Sequence, residues 1–315
     1  MRLVLLLLPV LMALLLGACQ EAGAAGADAP SGSFSQSSPA APSIPVTKPT
    51  ETPTPEPKPS PDAATPTQSP TTTLTPSPTV KACLDDGGRV ENHTLRTDLS
   101  PWPWEFRVYT PPCYDEDRDA HYPLLILIHG STYNDDQWDR LGADETADEL
   151  IAAGDAPPFL ILMPRDRRWV DPPEDPFGEA VADRILPWVD ENYRTIPARE
   201  YRAVGGLSRG AAWAVHLGLS RWEQFGAIGG HSLPVFWSDT PKIRRWLGEI
   251  PPEALPRIYL DIGDRDYLIE SAVWFEGVLN EMNIPHEWHQ FAGRHEEAYW
   301  MRHLEEYIRW YTDPW

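Results

Sequence analysis

Tyr201-Arg202-Ala203-Val204-Gly205-Gly206-Leu207-Ser208-Arg209-Gly210-Ala211 decides how this chain is read. Tyr201 to Val204 is a short apolar run of strand type, and a helical pattern opens at Ala211. Gly206-Leu207-Ser208-Arg209-Gly210 therefore lies on a sharp strand-to-helix turn. In that context Gly-x-Ser-x-Gly is a nucleophile elbow: the glycines let the backbone fold tightly, and the serine hydroxyl stands clear of the sheet. Ser208 is the expected nucleophile. Without the flanking strand and helix the same five residues would describe an ordinary turn, so the context carries the inference.

Outward from the elbow, short apolar runs alternate with longer amphipathic ones, the signature of a mostly parallel sheet covered by helices on both faces. Strands are expected at Trp104–Tyr109, Leu124–Ile128, Phe159–Met163, Tyr201–Val204, Ala227–Gly229, Ile258–Ile262 and Glu287–Phe291. Helices are expected at Ala143–Ala153, Gly178–Tyr193, Ala211–Leu219, Pro241–Gly248, Ser271–Met282 and Glu296–Tyr311. In such a sheet the site gathers at the carboxyl ends of the strands.

An elbow serine needs a base, because its hydroxyl is hardly ionised at neutral pH, and the base needs an acid to orient it. The expected chain order is serine, acid, histidine. After the strand Ile258–Ile262 comes Gly263-Asp264-Arg265-Asp266. Asp266 is the favoured acid, with Asp264 read as a brace of its own turn and Asp261, inside the strand, as structural. His295 ends the loop Phe291-Ala292-Gly293-Arg294-His295 just before the last helix, where an imidazole reaches a neighbouring strand end. His286 and His289 belong to the last strand or its flank, and His303 lies well into the helix. The oxyanion hole takes one backbone donor from Arg209. The other comes from the loop His129-Gly130-Ser131-Thr132-Tyr133, where Ser131 is favoured and Thr132 is the alternative; His129 is read as a packing residue. His295-Glu296 begins like a His-Glu-x-x-His zinc helix, but Tyr299 stands at the second ligand position, so no metal and no cofactor are expected.

The 315-residue chain has a formal net charge of -21. That balance argues against nucleic acid or an anionic membrane surface as partner, since both call for clustered Lys and Arg. Arg2 followed by the apolar run Leu3–Leu16 reads as an export signal, short for the roughly 20 residues of a membrane span. Leu16-Gly17-Ala18-Cys19 resembles the lipobox of bacterial lipoproteins, which implies a lipid anchor on Cys19 and a place on the outer face of the cell membrane. Residues 1–19 are read as that signal peptide, 20–80 as a Pro/Thr/Ser-rich disordered linker, and 81–315 as one catalytic domain. Cys83 and Cys113 are expected to pair in an oxidising compartment.

Taken together, His129-Gly130 with Trp138 downstream, Pro187-Trp188 with Tyr193, the elbow, Phe225-Gly226-Ala227-Ile228-Gly229-Gly230-His231-Ser232, and His295 with Trp300 resemble the esterase D branch of the α/β hydrolases. That branch contains feruloyl, acetylxylan and enterochelin esterases, S-formylglutathione hydrolases and mycolyltransferases. The resemblance runs from about Tyr122 to Tyr311. Ala211 departs from it where a second glycine is common, as does Arg209 where methionine or glutamine is. It implies an α/β-hydrolase fold and an acyl-enzyme on Ser208. Only one short helix is expected between Gly229 and Ile258, leaving no large lid and an open cleft suited to bulky or polymer-attached esters. Of the 14 tryptophans, Trp138, Trp169 and Trp237 fall in strand-end loops where they would stack on sugar or phenolic rings, and His231 is a further candidate for substrate contact. The expectation is a serine carboxylesterase acting on small-molecule or polysaccharide-linked esters, with an acyltransferase or a non-catalytic surface binding module as alternatives.

Overall fold

The computed structural model describes residues 82–315; Cys19, the signal segment and the linker lie outside the described residues. Eight strands form one sheet: β1 (Arg89–Leu95), β2 (Trp104–Thr110), β3 (Leu124–Ile128), β4 (Leu160–Pro164), β5 (Arg202–Leu207), β6 (Ala227–His231), β7 (Arg257–Gly263) and β8 (Glu287–Phe291). Their order is β1-β2-β4-β3-β5-β6-β7-β8. β1 and β2 run antiparallel to their neighbours and the six strands from β4 to β8 are parallel, an arrangement that sets the elbow after the central strand β5.

The helices are α1 (Gln137–Arg140), α2 (Ala143–Ala153), α3 (Phe177–Ala180), α4 (Leu186–Asn192), α5 (Arg209–Ser220), α6 (Ile243–Glu249), α7 (Ile269–Glu281) and α8 (Glu297–Thr312). The two-residue period of the strands divides the core between the faces. Leu124, Ile126, Ile128 and Val204 join the residues of α3 to α7, while Leu125, Leu127, Ala203 and Leu207 join those of α1, α2 and α8. The single helix expected over 178–193 is instead α3, a π-helical turn at Val181–Ile185, and α4. Pro187 supplies the reason: it has no N–H to return to Asp183, and the wider turn absorbs the break. β1 was not expected either; its Arg89-Val90-Glu91-Asn92-His93-Thr94-Leu95 is a half-exposed edge.

Cys83 and Cys113 form a disulfide across 30 residues, tying the start of the described chain to the loop after β2. Reduction is expected to lower stability by about 3 to 4 kcal/mol in the loop-entropy account. Urea midpoints of the folded domain with and without reductant check this, and an unchanged midpoint contradicts it.

Candidate active site

The backbone of the elbow is strained at Ser208, not at its glycines. Ser208 has φ 52° and ψ -127°, a region costly for a residue with a Cβ. The flanking glycines act through close approach: a Cβ on Gly210 would stand 2.0 Å from the Ile128 carbonyl oxygen, and one on Gly206 2.3 Å from Gly210. Only glycines allow α5 to start hard against β3. The strain is compensated around Ser208, whose N–H donates to the His231 carbonyl at 2.8 Å. Of the six non-glycine residues with positive φ among the described residues, Thr132, Trp169, Ser208 and Ser232 each follow one of the neighbouring strands β3, β4, β5 and β6. Backbone strain is thus concentrated at the rim where the sequence places the chemistry.

At that rim the three side chains named from the sequence meet. The Ser208 hydroxyl lies 2.9 Å from His295 Nε2, and His295 Nδ1 lies 2.9 and 3.1 Å from the two Asp266 oxygens. Because Nδ1 faces a carboxylate it carries the proton, leaving Nε2 to accept from the hydroxyl. Burial alone would raise the Asp266 carboxyl; hydrogen bonds from His295, the Leu268 N–H and Ser232 outweigh it and hold the group below its ordinary range. Asp264 plays the bracing part expected of it. It accepts from the Gly293 N–H at 2.9 Å, so the turn after β7 grips the loop that carries His295.

Ser232 and Trp300 were not singled out from the sequence as site residues. Trp300 donates its indole N–H to the Ser232 hydroxyl at 3.1 Å, and its ring meets His295 edge-on at 5.0 Å. The pair therefore braces the acid and the imidazole from beneath. Tyr267, 75% exposed, also packs on the imidazole, tilted by 52° at 4.6 Å between ring centres.

The loop after β3 is fixed by a chain of hydrogen bonds. The Asp166 N–H donates to His129 Nε2 at 2.9 Å, so Nδ1 carries the proton that His129 gives to the Gly130 carbonyl at 2.7 Å. His129 is a buried packing residue, and burial pushes its imidazole below the usual value. The Gly130 N–H donates to Gln137, which donates in turn to Glu297 at the start of α8. Within this frame the amides of Ser131 and Thr132 have no protein acceptor. The Arg209 N–H, first in α5, is one of the donors that every helix start leaves unpaired.

Two expected substrate contacts are corrected by burial. Trp138 is 1% exposed and donates its indole N–H to the Ile128 carbonyl beneath the rim. His231 is 0% exposed. Its Nδ1 pairs with Asp261 at 2.6 Å, its Nε2 with the Tyr311 hydroxyl at 3.0 Å, and its ring stacks on Tyr307. β6 runs two residues further than the sequence suggested, and strand alternation turns His231 toward α8. Trp169 and Trp237 do reach solvent, 49% and 85% exposed.

The Arg209 side chain is buried, with its Nε donating to Asp166 at 2.7 Å. Asp175 stands 3.8 Å from the same guanidinium with its side chain 1% exposed. Burial first, then the charge of Asp166, raises the Asp175 carboxyl to about 6. A carboxyl whose folded value lies above its unfolded value favours folding only while protonated, so its cost grows as pH rises from about 4 through 6. Asp175→Asn is therefore expected to stabilise the domain by roughly 1 to 3 kcal/mol at pH 7. The gain should shrink toward pH 4, and thermal unfolding across that range checks it; a loss at pH 7 contradicts it.

Comparison with known proteins places this geometry in a family. A curated endo-1,4-beta-xylanase/feruloyl esterase of Xylanibacter ruminicola is 28% identical over 190 residues, 57% of this chain and 25% of the relative. An esterase of Mycobacterium tuberculosis is 26% identical over 267 residues, 66% of this chain and 56% of the relative. The chain thus spans between a quarter and just over half the length of these curated relatives. Among solved structures, a ferulic acid esterase superposes with TM-score 0.66 at 21% identity, covering 73% of this chain and 99% of that one. The S-formylglutathione hydrolase of Staphylococcus aureus superposes with TM-score 0.56 at 15% identity, over 71% and 99% of the two chains. These likenesses establish the α/β-hydrolase fold. The sequence profile described as "Putative esterase" matches residues 99–311, and the chain therefore belongs to that family of ester-bond hydrolases.

Proposed function

We propose that the protein is an extracellular, lipid-anchored serine carboxylesterase that works through an acyl-enzyme on Ser208 and acts on phenolic or carbohydrate esters. The observation that carries the reading is His295, with Ser208 on one nitrogen and Asp266 on the other. His295 Nε2 takes the hydroxyl proton as Ser208 Oγ attacks the ester carbonyl. The oxyanion accepts from the amides of Arg209 and Ser131, each such donor contributing about 2.7 to 4 kcal/mol at the transition state. The imidazolium, held by Asp266, gives its proton to the leaving alkoxide; water then attacks the acyl-enzyme with the same histidine as base and frees Ser208.

The substrate class is supported by the exposed aromatic rings Trp169, Trp237 and Tyr267, which follow β4, β6 and β7, and by the likeness to feruloyl esterases. Membrane attachment is supported by the lipobox at Cys19; no helix among the described residues is long and apolar enough to cross a membrane. Steady-state hydrolysis of acetyl, feruloyl and longer acyl esters by the domain from residue 82 tests the reading. Turnover of a feruloyl or acetylated-sugar ester is expected, with acid and alcohol released in equal amounts. If an added alcohol acceptor captures the acyl group in preference to water, the protein is a transferase; if no ester turns over, it is a binding module.

A further inference from the structure

Twelve residues, 165–176, join β4 to α3, and they are fastened to the residue that follows the nucleophile. Arg209 Nε donates to Asp166 at 2.7 Å and its Nη2 to the Val170 carbonyl at 2.5 Å. Its guanidinium also faces Asp171 at 3.6 Å and Asp175 at 3.8 Å. One planar group hydrogen-bonds two points of the strap on separate edges and faces two further carboxylates, a task that suits a guanidinium and not an ammonium. Trp213 adds a second hold on Asp166, through its indole N–H at 2.9 Å.

Trp169 sits between the held residues. Its N–H points to Asp166 at 3.4 Å, the next carbonyl is the one Arg209 holds, and its own φ is 52°. A bulky residue keeps such a backbone only where its surroundings over-determine it, and here both constraints lead to Arg209. The result is a half-exposed ring on a backbone held from both sides. A rigid aromatic surface stacks on a ligand ring without first losing conformational freedom.

Resting on the reading of Ser208 as an esterase nucleophile, we propose that the Arg209 guanidinium is a positioning group for substrate selectivity. It holds strap 165–176 so that Trp169 forms a fixed wall against the ring of a bulky aryl ester. The backbone of Arg209 serves the oxyanion while its side chain sets which esters are preferred. Small esters do not reach the wall and do not benefit from it.

The test compares kcat/KM for methyl ferulate and ethyl acetate in the wild type, Arg209→Met, Arg209→Lys and Trp169→Ala. The ferulate-to-acetate ratio is expected to fall about 5- to 10-fold in Arg209→Met and Trp169→Ala, the value of one aromatic stacking contact. The fall should appear mainly in KM for ferulate. Arg209→Lys, which keeps charge and length but lacks the fork, should lie between. Trypsin provides a readout independent of turnover: cleavage at Arg165, Arg167 or Arg168 should quicken in Arg209→Met and in Arg209→Lys, and not in Trp169→Ala. An unchanged ratio in Arg209→Met, or in Arg209→Lys should the methionine variant not fold, overturns the proposal. So does an equal loss on both esters with the strap still resistant to trypsin. A wild type that hydrolyses neither ester overturns the esterase reading itself.

Discussion

Ser208→Ala is expected to lower kcat/KM for p-nitrophenyl acetate by at least about 10⁴-fold, leaving only the residual rate that a binding cleft and oxyanion donors sustain. Among the described residues no other hydroxyl hydrogen-bonds to His295 Nε2, so no neighbour there takes over the attack. Folding should be little affected, since Ser208 Oγ bonds to His295 at the rim and the backbone is held independently through the His231 carbonyl. Ser208→Gly sharpens the expectation. It should be as inactive as the alanine variant yet more stable by about 1 kcal/mol, because a φ of 52° burdens every residue with a Cβ and not glycine. Thermal unfolding of the three proteins checks this, and a glycine variant no more stable than the alanine variant would show that the elbow stores no strain.

Asp266→Asn is the second large effect. The carboxylate accepts the His295 Nδ1 proton and so selects the tautomer with Nε2 free for the serine; an amide in its place donates to Nδ1 and turns the imidazole into a donor toward Ser208. A loss of about 10³- to 10⁴-fold in kcat is expected, with KM nearly unchanged. Asp264→Asn separates this role from bracing, since it keeps an acceptor for the Gly293 N–H and should cost less than about tenfold. The pH dependence follows from the sign of the Asp266 shift. Its folded value lies below the ordinary carboxyl value, so its contribution is fully present above about pH 4 and is lost as pH falls through the folded value. In Asp266→Asn that acid-limb loss of stability should be reduced. Equal losses from Asp264→Asn and Asp266→Asn would contradict the assignment.

The elbow was legible because its strand, turn and helix are contiguous and each has its own local signal. The acid and the histidine were legible because each follows a strand in a short loop, and strand ends in a parallel sheet share one rim. Side-chain direction was not legible. Two extra residues of β6 turned His231 from the rim to a buried set with Asp261 and Tyr311, and the four-residue helix α1 turned Trp138 inward. β1 escaped notice because an edge strand needs no apolar face of its own to pair with β2. Ser232, Trp300 and the Arg209 strap depend on contacts between residues 34 or more apart in the chain, for which no local pattern exists.

Labelling with a fluorophosphonate probe, followed by peptide mass mapping, tests most directly whether His295 and Asp266 activate Ser208. One phosphonyl group per chain on the peptide containing Ser208 is predicted, abolished in Ser208→Ala and slowed at least about 10²-fold in His295→Ala. Labelling at another residue, or a rate indifferent to His295, would contradict the account.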